Sequence, residues 1–425
     1  MTMIREITEL DEGELSHVLR RDLALESVFL DVEKIIEDVK KNGDAAIKKY
    51  TKKFDGVDLK QIQVEREELN HSLQAIDFKL RKSLEIAAEN IKVFHQRQLE
   101  KKIWLTYNKG IILGEKITPL ESIGIYIPGG RALYPSTVLM TAIPAKIAGV
   151  NRIAMCTPPR GDGSVHPVIL AAAQIAGVNE IYKVGGVQAI AALAYGTESI
   201  KKVDKIIGPG NIYVTAAKLL IKKSVEIDFP AGPSEVVIVA DEYANPKFIA
   251  IDMIAQAEHD PSALSILITP SREIAEKVES ELKLLLKKVK RREIIEASLK
   301  QSQIFLVKDL DMAVELLNMI APEHVQLMLQ DYLPILDKVK HAGTIFIGDY
   351  SPVALGDYAS GANHVLPAAG YARVYSGLNL DHFIKKTTIQ MASKEGLKML
   401  KDIIITLAEV EGLHAHVDSI RERFK

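Results

Sequence analysis

Two side chains that could bind a metal ion lie close together in the segment 255–260. Gln256 and His259 are three residues apart, near the end of a helix that the apolar periodicity predicts from Pro246 onward. Residues at this spacing share one helical face, so the two side chains could ligate one metal ion. The same spacing is typical of two surface residues, and it does not decide between these interpretations.

A candidate general base follows in the segment 321–325. Proline favours the first position of a helix, so Pro322 predicts that Glu323 and His324 lie in a first helical turn. The positive end of the helix dipole would keep His324 neutral and able to accept a proton. A neutral histidine beside a carboxylate suits general-base catalysis. The alternative is that Glu323 only complements the helix dipole.

A third polar segment follows the strand that is predicted to end at Ile347. Gly356 directly precedes Asp357, and Gly361 follows Ser360, which together predict a tight loop beyond a strand end. Sites of α/β sheets commonly lie in such loops, which makes Asp357 a candidate ligand of a metal or a substrate. An ordinary turn residue is the other interpretation.

The fourth segment, 411–416, contains Glu411, His414 and His416. Gly412 is predicted to cap the last long helix, Ser393–Glu411, which leaves both histidines in a non-helical segment beyond it. A polar tail of this kind is normally exposed to solvent. It gains a function only if it docks elsewhere.

Three glycine-rich turns follow predicted strands, at 128–130, 185–186 and 208–210. They could form a rim that faces a phosphate, or they could be ordinary connections between a strand and a helix. The turn at 208–210 begins like a dinucleotide-binding fingerprint, but Tyr213 occupies the third glycine position. Neither a P-loop nor an HExxH motif occurs in the sequence.

The elements that must position these residues are alternating strands and helices, which indicate parallel sheets with helical crossovers. The Pro/Gly-rich stretch 229–234 is the predicted boundary between two such sheets. Residues 1 to about 110 and the chain after Arg373 are predicted to be mostly helical. The strands are predicted at 123–127, 152–157, 180–184, 205–207, 235–240, 263–269, 303–307 and 344–347.

Composition narrows the class of protein further. The 425 residues are 47% hydrophobic and carry a formal net charge of −2, so an ordinary globular core is expected and a nucleic-acid partner is not. The single cysteine, Cys156, excludes a disulfide within the chain and a thiolate metal cluster, and we expect it to be a buried core thiol. Neither a signal peptide nor a membrane span is apparent, which predicts a cytoplasmic protein without a membrane partner.

Taken together, the motifs resemble those of the L-histidinol dehydrogenase family. They occur in the family's order over nearly the whole chain: 125–130 (IYIPGG), 208–211 (GPGN), 231–235 (AGPSE), 256–260 (QAEHD), 321–325 (APEHV) and 356–361 (GDYASG), with Glu411 and His416 closing the series. The resemblance implies an α/β fold of two incomplete Rossmann-like domains with parallel-rich sheets and small helical terminal pieces. Its units would be 1–21 (N-terminal extension), 22–125 and 234–378 (substrate and metal domain), 126–233 (NAD-binding domain) and 379–425 (helical tail reaching the partner subunit).

The activity that this resemblance implies is an NAD-dependent, four-electron oxidation of L-histidinol through L-histidinal to L-histidine. The metal would be one zinc ion per subunit of a homodimer with shared active sites, in which Glu411 and His416 act across the interface. The implied residues are Glu323 and His324 for catalysis; Gln256, His259, Asp357 and His416 for zinc; the same four with Ser234, His324 and Glu411 for substrate; and Tyr126, Gln188 and Asn211 for NAD.

The residues also favour a division of labour between the two candidate bases. Cys156 lies in a predicted strand without an adjacent base, so water must attack the aldehyde in the second stage. We assign activation of that water to Glu323, removal of the alcohol proton to His324, and positioning of the substrate to zinc. The alternatives are a zinc hydrolase in which Glu323 activates a metal-bound water, and a non-enzymatic regulator that binds metal or histidinol. His414 could also compete with His416 as a ligand.

Overall fold

The computed structural model describes residues 3–7, 25–100, 102–129, 132–230 and 232–425. The predicted N-terminal extension, 1–21, therefore lies outside the described residues except for 3–7. Within the described part, the α/β class that the sequence predicts is confirmed by two parallel sheets covered with helices. All eight predicted strands are present, with ends that differ by at most one residue.

The first parallel sheet has five strands in the spatial order β6-β5-β4-β7-β8. Its strands are β4 (Ser122–Tyr126), β5 (Arg152–Thr157), β6 (Glu180–Lys183), β7 (Lys205–Ile207) and β8 (Glu226–Ile227). Numbered from β4, this order is 3-2-1-4-5, the doubly wound order of dinucleotide-binding sheets without its sixth strand. The point at which the order reverses lies between β4 and β7.

The second parallel sheet has six strands in the order β1-β11-β10-β9-β12-β13. Its strands are β1 (Ile4–Glu6), β9 (Glu235–Ala240), β10 (Leu264–Thr269), β11 (Gln303–Leu306), β12 (His324–Met328) and β13 (Thr344–Ile347). Numbered from β9, the five main strands again run 3-2-1-4-5. Every residue of β9 is buried, as expected for a central parallel strand that has helices on both faces.

Helices cover both faces of each parallel sheet. Within the described residues they are α1 (Glu26–Asp55), α2 (Arg66–His71), α3 (Phe78–Gln96), α4 (Pro135–Ala148), α5 (Pro167–Ile175), α6 (Gly186–Tyr195), α7 (Ile212–Ile221), α8 (Pro246–Ala257), α9 (Arg272–Leu285), α10 (Arg292–Leu299), α11 (Leu310–Ile320), α12 (Leu333–Leu336), α13 (Val353–Tyr358), α14 (Lys394–Val410) and α15 (His414–Glu422). On the first sheet, α1, α6 and α7 pack on one face, while α3, α4 and α5 pack on the other.

The prediction that residues 1 to about 110 are mostly helical is wrong at two places within the described residues, at β1 (Ile4–Glu6) and from Ile103 onward. Strands β2 (Ile103–Asn108) and β3 (Ile111–Pro119) form a hairpin, since Lys109 and Gly110 both have positive φ, as a tight two-residue turn requires. Aromatic and β-branched residues of β2 favour this extended conformation over a helix.

The prediction that the chain turns helical after Arg373 is also wrong in part. Strand β14 (Ile384–Ala392) pairs antiparallel with β3 over its whole length, which creates a third, three-stranded sheet. The long helix that follows is confirmed, and Gly412 has the left-handed backbone expected just beyond its end.

Two further expectations concern burial. Cys156 is fully buried in β5, as predicted, and burial raises the pKa of its thiol. No helix in the described part of the chain has the length and apolar character needed to cross a bilayer.

Candidate active site

Glu323 and His324 do not begin a helix, contrary to the prediction from Pro322. Helix α11 ends before them, at Ala321, whose left-handed backbone (φ 50°) turns the chain away from the helix axis. His324 is instead the first residue of β12 and pairs with β9 on one side and β13 on the other. The error arises because a proline after an apolar helix has the same signal before a helix as before a strand, and the polar–apolar alternation of His324–Met328 extends over only four residues.

Both candidate bases are buried and are held by the backbone of Glu235 at the start of β9. His324 Nδ1 lies 2.9 Å from the carbonyl oxygen of Glu235, and the backbone N–H of Glu235 donates to Glu323 Oε2 at 3.0 Å. Because a carbonyl can only accept, Nδ1 carries the hydrogen in this arrangement. The second ring nitrogen, Nε2, then has a lone pair that can accept a proton.

His324 is neutral for a different reason from the one predicted. Burial, and then the neighbouring imidazoles of His259 and His364, lower the pKa of His324 from 6.5 to about 3. A helix dipole is not involved, since the residue lies in a strand. The predicted outcome, an imidazole that stays neutral near pH 7, follows from desolvation and like-charge repulsion.

The candidate metal ligands Gln256 and His259 lie at the end of α8. Gln256 is in the last turn of the helix, and His259 lies just beyond it, with its backbone N–H donating to the Gln256 carbonyl at 3.2 Å. The prediction that both belong to one helix is therefore correct for Gln256 only. The Gln256 side chain is buried, and its Nε2 has no hydrogen-bond partner among the described residues.

One hydrogen bond fixes α8 against β12. Gln326 shares the face of β12 that carries His324, and its Nε2 donates to Asp252 Oδ2 at 2.7 Å. Asp252 in turn lies one helical turn before Gln256 on α8. This bond therefore links the strand of the candidate base to the helix of the candidate ligand.

Asp357 lies in the short helix α13, and the predicted tight loop is wrong at this position. Helical packing is possible because Gly356 lacks a side chain: a Cβ there would lie 2.7 Å from the Phe346 ring. Burial raises the pKa of Asp357 from 3.8 to about 7. A carboxyl group destabilised in its charged form is suited to a bound cation.

Three residues of the site had no assigned role in the sequence. The Nδ1 atom of His364 lies 2.8 Å from the Asp357 carbonyl, and its Nε2 lies 3.2 Å from Thr137 Oγ1 at the start of α4. Phe346 of β13 packs against the His324 ring, with centroids 6.1 Å apart. His364 stands in the same polar segment as Asp357, which was the signal available; Thr137 and Phe346 carry no signal of their own.

The predicted C-terminal residues Glu411, His414 and His416 are exposed, and the histidines lie in α15, where a non-helical segment was expected. Within the described residues, the extensive contacts of α15 are with α14, which itself packs on β14. Inside one chain the structure therefore places the Glu323–His324 pair within electrostatic range of His259 and His364, with Asp357 joined to His364 through its carbonyl and Gln256 one turn before His259. Ser234 directly precedes Glu235, and the tail is not added.

The predicted cofactor residues meet at the carboxyl ends of the first sheet. The Tyr126 hydroxyl at the end of β4 accepts a hydrogen bond from Gly186 N–H at 3.1 Å, and burial raises its pKa to about 12. Gln188 is buried nearby, and its Oε1 has no hydrogen-bond partner among the described residues. Asn211 caps α7, where its side chain accepts from two backbone N–H groups, and it is exposed.

The fold and this site define an α/β protein with a buried, neutral histidine beside a carboxylate and a separate glycine-rich sheet edge in the strand order of dinucleotide-binding sheets. Comparison with known proteins makes the class more specific. The family model described as "Histidinol dehydrogenase" matches residues 18–424. The chain belongs to the histidinol dehydrogenase family, and it is therefore an oxidoreductase of histidine biosynthesis.

Individual relatives agree over full length. The chain is 51% identical to histidinol dehydrogenase of Methanosarcina mazei over 99% of this chain and 98% of the relative. It is 50% identical to that of Methanocaldococcus jannaschii, covering 100% of this chain and 99% of the relative. The crystal structure of histidinol dehydrogenase from Elizabethkingia anophelis superposes with a TM-score of 0.93 at 40% identity, covering 100% of this chain and 98% of that one.

Proposed function

We propose that this protein catalyses the zinc-dependent, NAD-linked oxidation of L-histidinol through L-histidinal to L-histidine. The observation that carries the proposal is the buried Glu323–His324 pair, placed beside His259 and the Asp357 segment. The choice of L-histidinol as the substrate follows from membership of the histidinol dehydrogenase family. We also keep the predicted division into an NAD-binding unit, 126–233, and a substrate and metal unit, 22–125 with 234–378.

In the first stage, His324 removes the proton of the substrate hydroxyl. Its Nδ1–H is held by the Glu235 carbonyl at 2.9 Å, which directs the basic Nε2 away from β9. NAD, held beside Tyr126, Gln188 and Asn211, would supply the hydride acceptor for each stage. A correctly oriented base of this kind contributes roughly 10²–10⁴ to the rate.

In the second stage, Glu323 activates the water that attacks the aldehyde. Its Oε2 accepts the Glu235 N–H at 3.0 Å and lies 3.4 Å from His324 Nδ1, so the carboxylate is oriented by two neighbours. Cys156 is no alternative nucleophile, because it is fully buried in a strand and burial raises the pKa of its thiol.

The mid-chain residues fit a divalent metal ion. The Asp357 carboxyl, whose pKa burial raises to about 7, is a group that a cation would stabilise, and the buried Gln256 side chain offers an amide oxygen as a neutral ligand. Zinc would be held by Gln256, His259 and Asp357 together with His416 of the partner subunit, and it would supply positive charge that fixes the substrate nitrogens. Within the described residues of one chain, no cluster of three or more His, Cys, Asp or Glu side chains forms a metal site. The proposed ligand set agrees with this, because it takes only His259 and Asp357 of these residue types from one chain.

The glycine edge of the first sheet suits the NAD pyrophosphate. Helices α6 and α7 both begin at this edge, and the positive ends of their dipoles favour an anion there, although Asn211 and Tyr126 already accept from the N–H groups of Tyr213, Val214 and Gly186. Tyr126, Gln188 and Asn211 lie at the same edge and would contact NAD.

A second copy of the chain would complete the site. All six residues of β2 are exposed, among them Trp104 and Tyr107, and α14 exposes Ile403, Leu407 and Val410. So many exposed apolar side chains on β2 and α14 favour contact with a protein partner. In the homodimer that we propose, Glu411 and His416, which follow α14, reach the substrate and the zinc of the other subunit. Ser234 contacts the substrate from its own chain.

One assay tests the proposal against its alternatives. Purified protein with zinc, NAD and L-histidinol should form two NADH for each histidine, as measured by absorbance and product analysis. A zinc hydrolase or a binding regulator would form no NADH, and that result would reject the proposal. Subunit sharing is tested separately: a His416→Ala variant mixed with a His324→Ala variant should regain activity through hybrid dimers, and no recovery despite subunit exchange would argue against it.

A further inference from the structure

A buried ion pair lies directly beneath one of the glycine turns. Lys218 of α7 and Asp228, the residue after β8, are in contact, and their side chains are only 3% and 1% exposed. Removing two charges from water costs several kcal/mol per ion, and such pairs can often be replaced by apolar residues without loss of stability. Packing alone therefore does not account for a pair at this position.

The two side chains hold both backbone groups of one residue, Gly208. The N–H of Gly208 donates to Asp228 Oδ2 at 2.8 Å, and Lys218 Nζ donates to the Gly208 carbonyl at 3.0 Å. The register of the parallel strands β7 and β8 pairs Ile206 with Ile227, which places Asp228 opposite Ile207, directly before Gly208. The pair thus fixes the orientation of the peptide groups on either side of this glycine.

Gly208 needs such support because its backbone is unusual. Its φ is +119°, and a Cβ there would lie 2.2 Å from the backbone oxygen of Tyr126. Gly208 itself is buried, whereas Pro209 and Gly210 are half-exposed and Asn211 is exposed. The ion pair therefore supports the buried first residue of the 208–210 turn. The rest of this turn faces outward, at the point where the strand order reverses.

We infer that Lys218 and Asp228 are positioning residues that hold the Gly208 turn in the conformation that binds the dinucleotide. This inference rests on the proposed function, since it assumes that NAD binds at this edge. It assigns to the pair no contact with the cofactor. Lys205 also lies within electrostatic range of Asp228, so replacing Lys218 alone leaves another cation near the carboxylate.

The test is the double variant Lys218→Met/Asp228→Asn, which removes both charges together at nearly constant volume. We expect the dissociation constant for NAD, measured by calorimetry, to rise at least about tenfold, as the loss of a charge-assisted hydrogen bond would produce. The KM for L-histidinol at saturating NAD and the kcat should change by less than about twofold, because the turn lies on the other sheet.

The matched control is Arg152→Met/Glu180→Gln. This ion pair, with Arg152 Nε 2.9 Å from Glu180 Oε2, lies in the same sheet but at the amino ends of β5 and β6. It should lower stability and leave NAD affinity unchanged. If the double variant does not fold, Asp228→Glu, which keeps the charge but displaces the carboxylate, should show the same selective loss.

Two results would overturn the inference. A folded variant that binds NAD with wild-type affinity would show that the pair does not position the turn. Equal losses for NAD and for L-histidinol would indicate a general structural role instead. A wild-type protein that does not bind NAD would reject the proposed function itself, which is a different outcome from either.

Discussion

The two parallel sheets share one strand order but use opposite edges. In the five-stranded sheet the glycine turns follow the carboxyl ends of β4 and β7, where sheets of this order ordinarily bind ligands. In the six-stranded sheet Glu235 and His324 begin β9 and β12, so the candidate catalytic residues lie at the amino ends. Strand order thus locates the pair of strands at which the order reverses. It does not decide whether the functional residues lie at the amino or at the carboxyl ends of those strands.

The short connection between the sheets explains why opposite edges can lie close together. Only residues 228–234 separate β8 from β9, so the carboxyl edge of the first sheet and the amino edge of the second are at most ~29 Å apart. Thr137, at the carboxyl edge of the first sheet, contacts His364. His364 lies within electrostatic range of His259, which belongs to the site of the second sheet. The edges meet at this contact.

The edges also differ in the groups that they offer. The first sheet presents backbone N–H groups of turns and helix starts, while the second presents imidazole, carboxylate and amide side chains. Substitutions at the second edge should therefore remove chemistry, whereas substitutions at the first should act through backbone geometry and cofactor affinity.

The largest effect expected at the second edge is that of metal removal. Stripping the metal should abolish NADH formation and added zinc should restore it, because the substrate would lose the charge that positions it. His259→Ala should lower the zinc content measured by atomic absorption, whereas His71→Ala, an exposed histidine on α2, should not. Full activity in verified metal-free enzyme would exclude the ligand set.

The next effect separates the two candidate bases. His324→Ala should slow the alcohol stage by about 10²–10⁴ and Glu323→Gln should slow the oxidation of supplied L-histidinal by a similar factor. The glutamine can still accept the Glu235 N–H, so its fold should be preserved. Single-turnover measurement of each stage checks this, and equal losses in both stages for both variants would contradict the division of labour.

At the first edge, Gly208→Ala should act through the backbone. Alanine at φ +119° is strained, and its Cβ would meet the Tyr126 oxygen, so we expect a loss of about 1–3 kcal/mol in unfolding free energy and a higher KM for NAD. Gly161→Ala is the control, because a Cβ there has no atom within 4 Å. Denaturant unfolding and kinetics of both variants test this, and equal behaviour would show that the turn tolerates a side chain.

The difference between the edges also explains what the sequence could predict. Strand-ending turns such as 208–210 are visible because glycine and proline mark them locally, and the buried β9 is visible from its run of valine and isoleucine. The strand at His324 was not visible, since a proline after an apolar helix has the same signal whether a helix or a strand follows. Thr137 could not be identified either, because its position opposite His364 is created only by the packing of α4.

The smallest effect tests how the loop carrying His364 is anchored between the edges. His95, fully buried in α3, contacts Gln98 Oε1 through Nδ1 at 2.9 Å, and its Nε2 lies 3.3 Å from the Asn363 amide nitrogen. Nε2 thus faces a donor and must accept, so protonation would break the contact. Burial accordingly lowers the pKa of His95 below 6.5.

The free energy of unfolding of the wild-type protein should therefore depend on pH in a way that a variant with a neutral side chain at position 95 does not share. Because the folded state resists protonation, the unfolded state takes up the proton first as the pH falls below 6.5, and wild-type stability falls there. His95→Gln should be less stable than wild type at pH 7.5, and the gap should narrow between pH 7.5 and 5.5 by up to ~1.4 kcal/mol. Ser72→Ala, which removes a buried hydroxyl bonded to the Leu69 carbonyl at 2.6 Å, should show a gap that is the same at each pH. A constant gap for His95→Gln in the same denaturant titrations would mean that the anchor tolerates a charged imidazole.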